Sequence, residues 1–339
     1  MTTNGWYTAP SGLTPGRYLM QGDEACAEGA IAAGCNFYAG YPITPASEIM
    51  EHTARRFRGM EGRVFVQMED ELASIASVIG ASWAGAKAMT ATSGPGFSLM
   101  LENLGYAIMT ETPLVVVDIQ RAGPSTGQAT RPAQGDVMQA RWGASGDYEM
   151  IVLSPWSVPD LYWQTIRAFN LAEQFRTPVI VLGDEGVGHL REGIEIPAEI
   201  ELYRRRYTPG EPPFGGESVP SMPIFGMGEQ LLVTGSTHDA RGYRRTDEAD
   251  AQAALVARFV SKIADHRDEI VRTETLLCDE DELDTLLIAY GFTARSAYRA
   301  AQELRREGRR VGLLRLGTLW PFADDAVRQM TARARRVLV

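Results

Sequence analysis

The sequence predicts an α/β chain built on a doubly wound parallel sheet, with a second, smaller α/β domain after it. Three observations carry that reading. Short apolar runs alternate with segments of helical length from about residue 22 to 190, the pattern of successive strand–helix–strand units. A proline-rich break follows, and the alternation resumes behind it. With 339 residues the chain is also longer than one ordinary core requires.

Strands in the first part are expected at Asn36–Tyr41, Arg63–Met68, Ala86–Ser93, Leu114–Gln120, Met150–Ser154 and Pro178–Gly183. Several are apolar at consecutive positions, as strands covered on both faces are. Helices are expected between them at Pro45–Phe57, Glu71–Ala84, Gly96–Met109 and Pro159–Phe175. The stretch 196–228 carries Pro197, Pro209, Pro212, Pro213, Pro220 and Pro223 with a basic cluster, Arg204–Arg206. It reads as a linker, or as an irregular arm crossing a partner surface. Beyond it come an apolar run at Leu231–Thr234, a helix at Ala249–Asp265 and a strand at Thr285–Tyr290. A helix at Arg295–Glu307, a strand at Val311–Leu316 and a helix at Ala323–Arg335 complete the series. The last residues, Arg336–Val339, read as the start of another buried strand, from which a longer native chain is expected. The division is therefore 1–195, a linker at 196–228, and 229–339.

Composition excludes several classes. Apolar content of 45% and charged content of 22% are those of a globular protein. No run approaches the length needed to cross a bilayer, and the N-terminus lacks a signal pattern, so a cytoplasmic, membrane-free protein is expected. A net charge of -10 speaks against a nucleic-acid surface. Cys26, Cys35 and Cys278 form no C-x-x-C pair, which argues against a cluster held by this chain and for plain buried thiols. His52, His189, His238 and His266 are isolated, with no metal-ligand spacing.

Four motifs fall at the carboxyl ends of successive expected strands. In Gly40-Tyr-Pro-Ile-Thr-Pro45, Thr44 suits a helix N-cap followed by proline; a hydroxyl there also suits a substrate carboxylate. In Gln67-Met-Glu-Asp-Glu-Leu72, Glu69 and Asp70 suit the helix dipole. Glu71 heads a small-residue apolar helix, where partial desolvation raises a carboxyl pKa. Thr90-Ala-Thr-Ser-Gly-Pro-Gly-Phe97 is either a connecting turn or a place where Ser93, Gly94 and Gly96 admit a planar ring or phosphate. Arg121, in Gln120-Arg-Ala-Gly-Pro-Ser-Thr-Gly-Gln128, is either a structural salt bridge or a bidentate carboxylate ligand. Their common position predicts a single crevice.

Taken in order, Tyr41-Pro-Ile-Thr-Pro45, Met68-Glu-Asp-Glu71, Thr92-Ser-Gly-Pro-Gly96 and Gln120-Arg-Ala-Gly-Pro-Ser-Thr-Gly127 resemble the alpha subunit of the 2-oxoacid:ferredoxin oxidoreductases. Gln134-Gly-Asp-Val-Met-Gln-Ala-Arg-Trp-Gly143 and Ala168-Phe-Asn-Leu-Ala172 continue the likeness, which is greatest to the 2-oxoglutarate members. The resemblance implies a pyrimidine-type thiamine-diphosphate-binding domain followed by a transketolase C-terminal-like domain. It implies that Glu71 hydrogen-bonds the cofactor's pyrimidine N1′. It further implies that Ser93, Gly94 and Gly96 approach that ring, and that Thr44 and Arg121 hold the substrate carboxylate. The implied reaction is oxidative decarboxylation of a 2-oxoacid to its acyl-CoA, with electrons passed to ferredoxin.

The sequence lacks the family's Gly-Asp-Gly…Asn motif for Mg²⁺ on the diphosphate, and it lacks cluster cysteines. The resemblance therefore puts the Mg²⁺ site and [4Fe–4S] clusters on a beta subunit and leaves a gamma-type domain to a further chain. A second carboxylate, as in 2-oxoglutarate, would need another cation or donor; His238, Arg131 and Arg141 are the candidates. Two other readings stand beside this one. The first is half of a different split thiamine-dependent enzyme, and the second is a non-catalytic scaffold subunit.

Overall fold

A computed structural model describes residues 5–339. Its main sheet runs in the order Thr318–Trp320, Ile151–Leu153, Pro178–Asp184, Leu114–Ala122, Ala88–Thr92, Phe37–Gly40 and Val64–Gln67. Every pair in that order is parallel except the outermost, where Thr318–Trp320 runs against Ile151–Leu153. The central pair is in register from Leu114 opposite Pro178 to Gln120 opposite Asp184. Both strands are buried through those positions, which is why their sequences are apolar without alternation.

The connecting helices Ser47–Phe57, Glu71–Trp83, Gly94–Met109 and Val158–Phe175 lie close to their expected positions. A further helix, Gly22–Ala32, packs against Val158–Phe175 and is buried at every residue but Glu24. Burial on all sides erases the 3.6-residue alternation by which a surface helix is recognised.

Within 196–228, Glu199–Tyr203 is a strand paired antiparallel with Trp6–Pro10, its neighbour Arg191–Ile196 pairing likewise with Gly16–Gln21. Its alternation of exposed glutamates with buried Ile200 and Leu202 is that of a half-covered strand. The remainder is irregular yet anchored. Arg176 is fully buried and donates to the carbonyls of Pro213, Pro220 and Ser221. Arg205, from the basic cluster, clasps Glu173 and reaches the carbonyls of Ser82 and Ala86. The apolar run Leu231–Thr234 forms no strand.

A four-stranded sheet in the order Thr273–Leu276, Val311–Leu316, Thr285–Ala289 and Val337–Leu338 forms the C-terminal part, with helices Ala249–Ala264, Gly291–Arg306 and Asp324–Thr331. The helix at Gly291 starts four residues before the expected Arg295 because the Asp184 carboxylate accepts the Phe292 N–H at 2.8 Å. Val337 and Leu338 do pair as a strand but are exposed, not buried. The C-terminal part is fastened to the main sheet by the strand Thr318–Trp320. It is also fastened through Glu111, fully buried, which accepts from Arg258 at 2.7 Å and Lys262 at 2.9 Å. No helix among the described residues is long and apolar enough to cross a membrane.

Candidate active site

Four adjacent strands, Leu114–Ala122, Ala88–Thr92, Phe37–Gly40 and Val64–Gln67, end on the same edge of the sheet. Arg121, Ser93, Thr44 and Glu71 are all at or just beyond those ends. The edge is where an open parallel sheet gathers ligand-binding side chains.

Glu71 is the first residue of its helix. The preceding residue, Asp70, is extended and caps the helix, its Oδ1 accepting the Ala73 N–H at 2.7 Å. The Glu71 side chain that follows is only 4% exposed. Burial is the main cause of its raised pKa and the Asp70 charge adds to it, against the helix backbone and Arg121, which favour the carboxylate.

Gly96 lies directly beneath that carboxyl group. A Cβ at residue 96 would come within 2.3 Å of Glu71 Oε1 and 2.2 Å of Thr92 Oγ1. The Ser-Gly-Pro-Gly turn is thus more than a connection: it clears the space in which the Glu71 carboxyl sits. Ser93 occupies the N-cap position of Gly94–Met109, but its hydroxyl makes no cap bond. The backbone closes the turn instead, Ser93 O accepting the Gly96 N–H at 2.8 Å. The hydroxyl is left buried with no partner.

Thr44 is not a helix cap. The Ala46 N–H bonds the Ile43 carbonyl at 2.9 Å, closing a turn around a cis Thr44–Pro45 peptide, and the helix starts only at Ser47. The turn brings Thr44 to Arg121 instead, whose Nη1 donates to the Thr44 carbonyl at 2.7 Å. Arg121 is 7% exposed, has no salt bridge among the described residues, and keeps a buried Nε without a partner. No salt bridge among the described residues accounts for Arg121, and its buried Nε is left without a partner.

Beside these residues opens a cleft of about 530 Å³, bordered by Gly94, Pro95, Arg121, Ser125, Asp136 and Gln139. Thr44 and Glu71 do not border it.

Sequence reasoning missed one feature of the site. Asp118, in the strand Leu114–Ala122 and in register with Thr92, is fully buried with neither carboxylate oxygen hydrogen-bonded. Its pKa is driven well above the ordinary range, first by burial and then by Asp136, which borders the cleft. Asp136 is raised by burial as well. The signal was present: an acid inside the apolar run Leu-Val-Val-Val-Asp-Ile.

Of the three candidates for a second carboxylate, two are already engaged by neighbours in this chain. His238 is buried edge-on against Phe214 with its Nδ1 at the Ser236 carbonyl, and burial lowers its pKa. Arg141 is committed to Glu149 at 3.0 Å and stacked on Trp142. Arg131 is exposed on Gln128–Pro132, the short strand that pairs with Arg121's own strand. Among the cysteines, Cys26 and Cys35 are buried, with burial pushing both thiols up to about 12, whereas Cys278 is only half-buried.

Comparison with known proteins gives a consistent picture. Residues 28–258 match the family described as pyruvate flavodoxin/ferredoxin oxidoreductase, thiamine diphosphate-binding, and residues 284–339 match pyruvate:ferredoxin oxidoreductase core domain II. The 2-oxoglutarate synthase subunit KorA of Methanothermobacter marburgensis is 52% identical, over 95% of this chain and 87% of that protein. The ketoisovalerate oxidoreductase subunit VorB of Methanothermobacter thermautotrophicus is 38% identical, over 92% and 82%. A solved 2-oxoglutarate:ferredoxin oxidoreductase from Magnetococcus marinus, with 2-oxoglutarate, coenzyme A and succinyl-CoA bound, superimposes with a TM-score of 0.89 at 34% identity. The match covers 95% of this chain and spans 57% of that one.

Proposed function

Because the chain belongs to the 2-oxoacid:ferredoxin oxidoreductase family and contains its thiamine-diphosphate-binding domain, we propose that it is the alpha-type subunit of a 2-oxoglutarate:ferredoxin oxidoreductase. The reaction is oxidative decarboxylation. The bond from C1 to C2 of the 2-oxoacid breaks to release CO₂, the acyl group passes to the coenzyme A sulfur, and an electron pair leaves for ferredoxin. The observation that carries the reading is the buried Glu71 carboxyl over Gly96, beside the unpartnered Ser93 hydroxyl and the Arg121–Thr44 pair.

The residues present fit the pyrimidine end of the cofactor. Ser93 keeps an orphaned buried hydroxyl, and the missing side chain at Gly96 lets the Glu71 carboxyl sit against the turn. Glu71, Ser93, Gly94 and Gly96 would hold that ring. When bound, thiamine diphosphate supplies the electron sink for loss of CO₂. Glu71, desolvated and with a raised pKa, is suited to hold a proton at the pyrimidine N1′. Arg121 offers its remaining N–H groups to the 1-carboxylate, while its bond to the Thr44 carbonyl fixes the guanidinium. Arg131 is the remaining candidate for the distal carboxylate.

The Mg²⁺ for the diphosphate and the [4Fe–4S] clusters are proposed to lie on a beta subunit, so that the active site forms between chains in the cytoplasm; a gamma-type subunit and ferredoxin complete the assembly. The test is to co-purify the chain with its beta partner and assay viologen reduction with thiamine diphosphate, Mg²⁺, CoA and a panel of 2-oxoacids. Glu71→Gln should leave assembly intact and lower turnover by about 10²–10⁴-fold, the range for removing a positioned acid–base group. Full turnover in that variant would refute the role of Glu71, and pyruvate or a branched-chain acid beating 2-oxoglutarate would refute the substrate.

A further inference from the structure

Beside the Thr44–Pro45 turn, three side chains distant in sequence converge. They are Asp23 at the start of the helix Gly22–Ala32, Glu48 in the first turn of Ser47–Phe57, and His189 after the short helix Glu185–Gly188. One ligand-type atom from each lies within 4.8 Å of the other two. His189 Nε2 is 3.6 Å from Glu48 Oε2, 3.9 Å from Asp23 Oδ2 and 3.3 Å from the Pro45 carbonyl oxygen. We propose that Asp23, Glu48 and His189, with the Pro45 carbonyl, form a binding site for a divalent cation of the Mn²⁺ or Zn²⁺ type.

Asp23 is the observation that points to a ligand. It is fully buried, and neither carboxylate oxygen has a hydrogen-bond partner. The backbone is shaped around it: a Cβ on Gly188 would come within 2.6 Å of Asp23 Oδ1. A buried carboxyl without a donor is expensive to keep, and a cation placed among these atoms removes that cost. Burial, then the charges of Glu48 and Glu24, raises its pKa well above the ordinary range when no cation is there.

The spacing suits a metal. Two ligands at ~2.1 Å from one ion stand roughly 3.0–3.4 Å apart at angles from octahedral to tetrahedral. The observed separations from His189 Nε2 correspond to angles of about 100–135° on the same bond length, so the groups need little movement. Two carboxylates, an imidazole and a carbonyl make a mixed N/O set that suits Mn²⁺ or Zn²⁺ and lacks the thiolates a soft ion selects. His189 Nδ1 faces Glu185 Oε1 at 3.9 Å, and Glu185 Oε2 is buried without a partner, the placement of an outer carboxylate that orients a ligating imidazole. Glu48 and His189 are both about a third exposed, with side chains at 40% and 33%, which leaves the ion a way in. The histidine spacing in the sequence gave no hint, because the ligands come from positions 23, 48 and 189.

The test uses the full chain, stripped with EDTA and free of thiamine diphosphate, so that it is independent of the proposed activity. Mn²⁺ binding is followed by electron paramagnetic resonance, with electron spin echo modulation to detect a coordinated histidine nitrogen. The expected result is a single Mn²⁺ per chain with nitrogen coupling, displaced by Zn²⁺. Glu48→Gln and His189→Ala should each weaken it by on the order of tenfold or more. If His189→Ala does not fold, Glu48→Gln, at the more exposed ligand, decides the matter by itself. Absence of Mn²⁺ binding overturns the proposal, as does binding without nitrogen coupling or binding unchanged by Glu48→Gln; the cluster would then be side chains packed against one another with no ion between them.

Discussion

Gly96→Ala separates the geometry of the site from the stability of the fold. The added Cβ would sit 2.3 Å from Glu71 Oε1, whereas ordinary contact begins near 3.4 Å, so the carboxyl oxygen must retreat by about 1 Å. Thr92 Oγ1, at 2.2 Å, must also turn aside. Neither move need unfold anything. The atoms in the way are the ends of side chains, and Gly96 lies in a helix with no left-handed backbone to strain. Alanine is also favoured over glycine in a helix by up to ~1 kcal/mol, against roughly 1–3 kcal/mol for overpacking. The net effect is a shift in Tm of a few degrees. Activity is another matter, since a 1 Å displacement of a working group costs about 10²-fold. The assay is 2-oxoacid-dependent viologen reduction beside a thermal melt. Glu71→Asp, which withdraws the carboxyl by one methylene, supplies a double-mutant control: added to Gly96→Ala, it should cost less than it does alone. Turnover within threefold of the parent, or effects that simply multiply in the double variant, would refute the claim that Gly96 exists to seat Glu71.

Two further outcomes follow from the same contacts. Arg121→Lys keeps the charge but loses the planar fork that meets the Thr44 carbonyl and is proposed to meet the substrate carboxylate; the KM for the 2-oxoacid should rise about tenfold or more, the value of one charge-assisted hydrogen bond, with kcat less affected. At Glu111, burial favours the neutral acid, but Lys262, Arg258 and Arg176 outweigh it and hold the pKa at about 2. The folded-state value is thus below the unfolded one, so this stabilisation is complete above about pH 4.5 and is lost as pH falls toward 2. Glu111→Gln should flatten that acid limb in urea melts and destabilise by about 3–5 kcal/mol, because Lys262 and Arg176 stay buried without their counter-charge.

Much of this was legible in the sequence, and the failures have physical causes. Strands buried on both faces betray themselves by uninterrupted apolar runs, as at Leu114–Ala122, and glycine turns behind them mark where a sheet can receive a ligand. What resisted reading was structure whose signal is averaged out or nonlocal. The helix Gly22–Ala32 is covered on every side and shows no periodicity. The helix at Gly291 begins where it does because of Asp184, more than a hundred residues earlier. Thr44 looks like a cap locally, yet its role depends on Arg121 across the sheet.

The same distinction explains why the acids were unequally visible. Glu71 could be singled out because its neighbours show why it is turned inward: a capping acid before it and a small-residue helix after it. Asp118 and Asp23 announce themselves only as charges in apolar surroundings, which sequence alone also allows for a surface strand or a helix start. Burial is what gives them meaning, since a carboxyl at no exposure must share a proton, meet a cation or remain costly. Asp118 faces Asp136, which borders the cleft, and burial and that second carboxyl together raise its pKa. Asp23 faces the His189 imidazole, with the Glu48 carboxylate beside them, at distances that leave room for an ion between them.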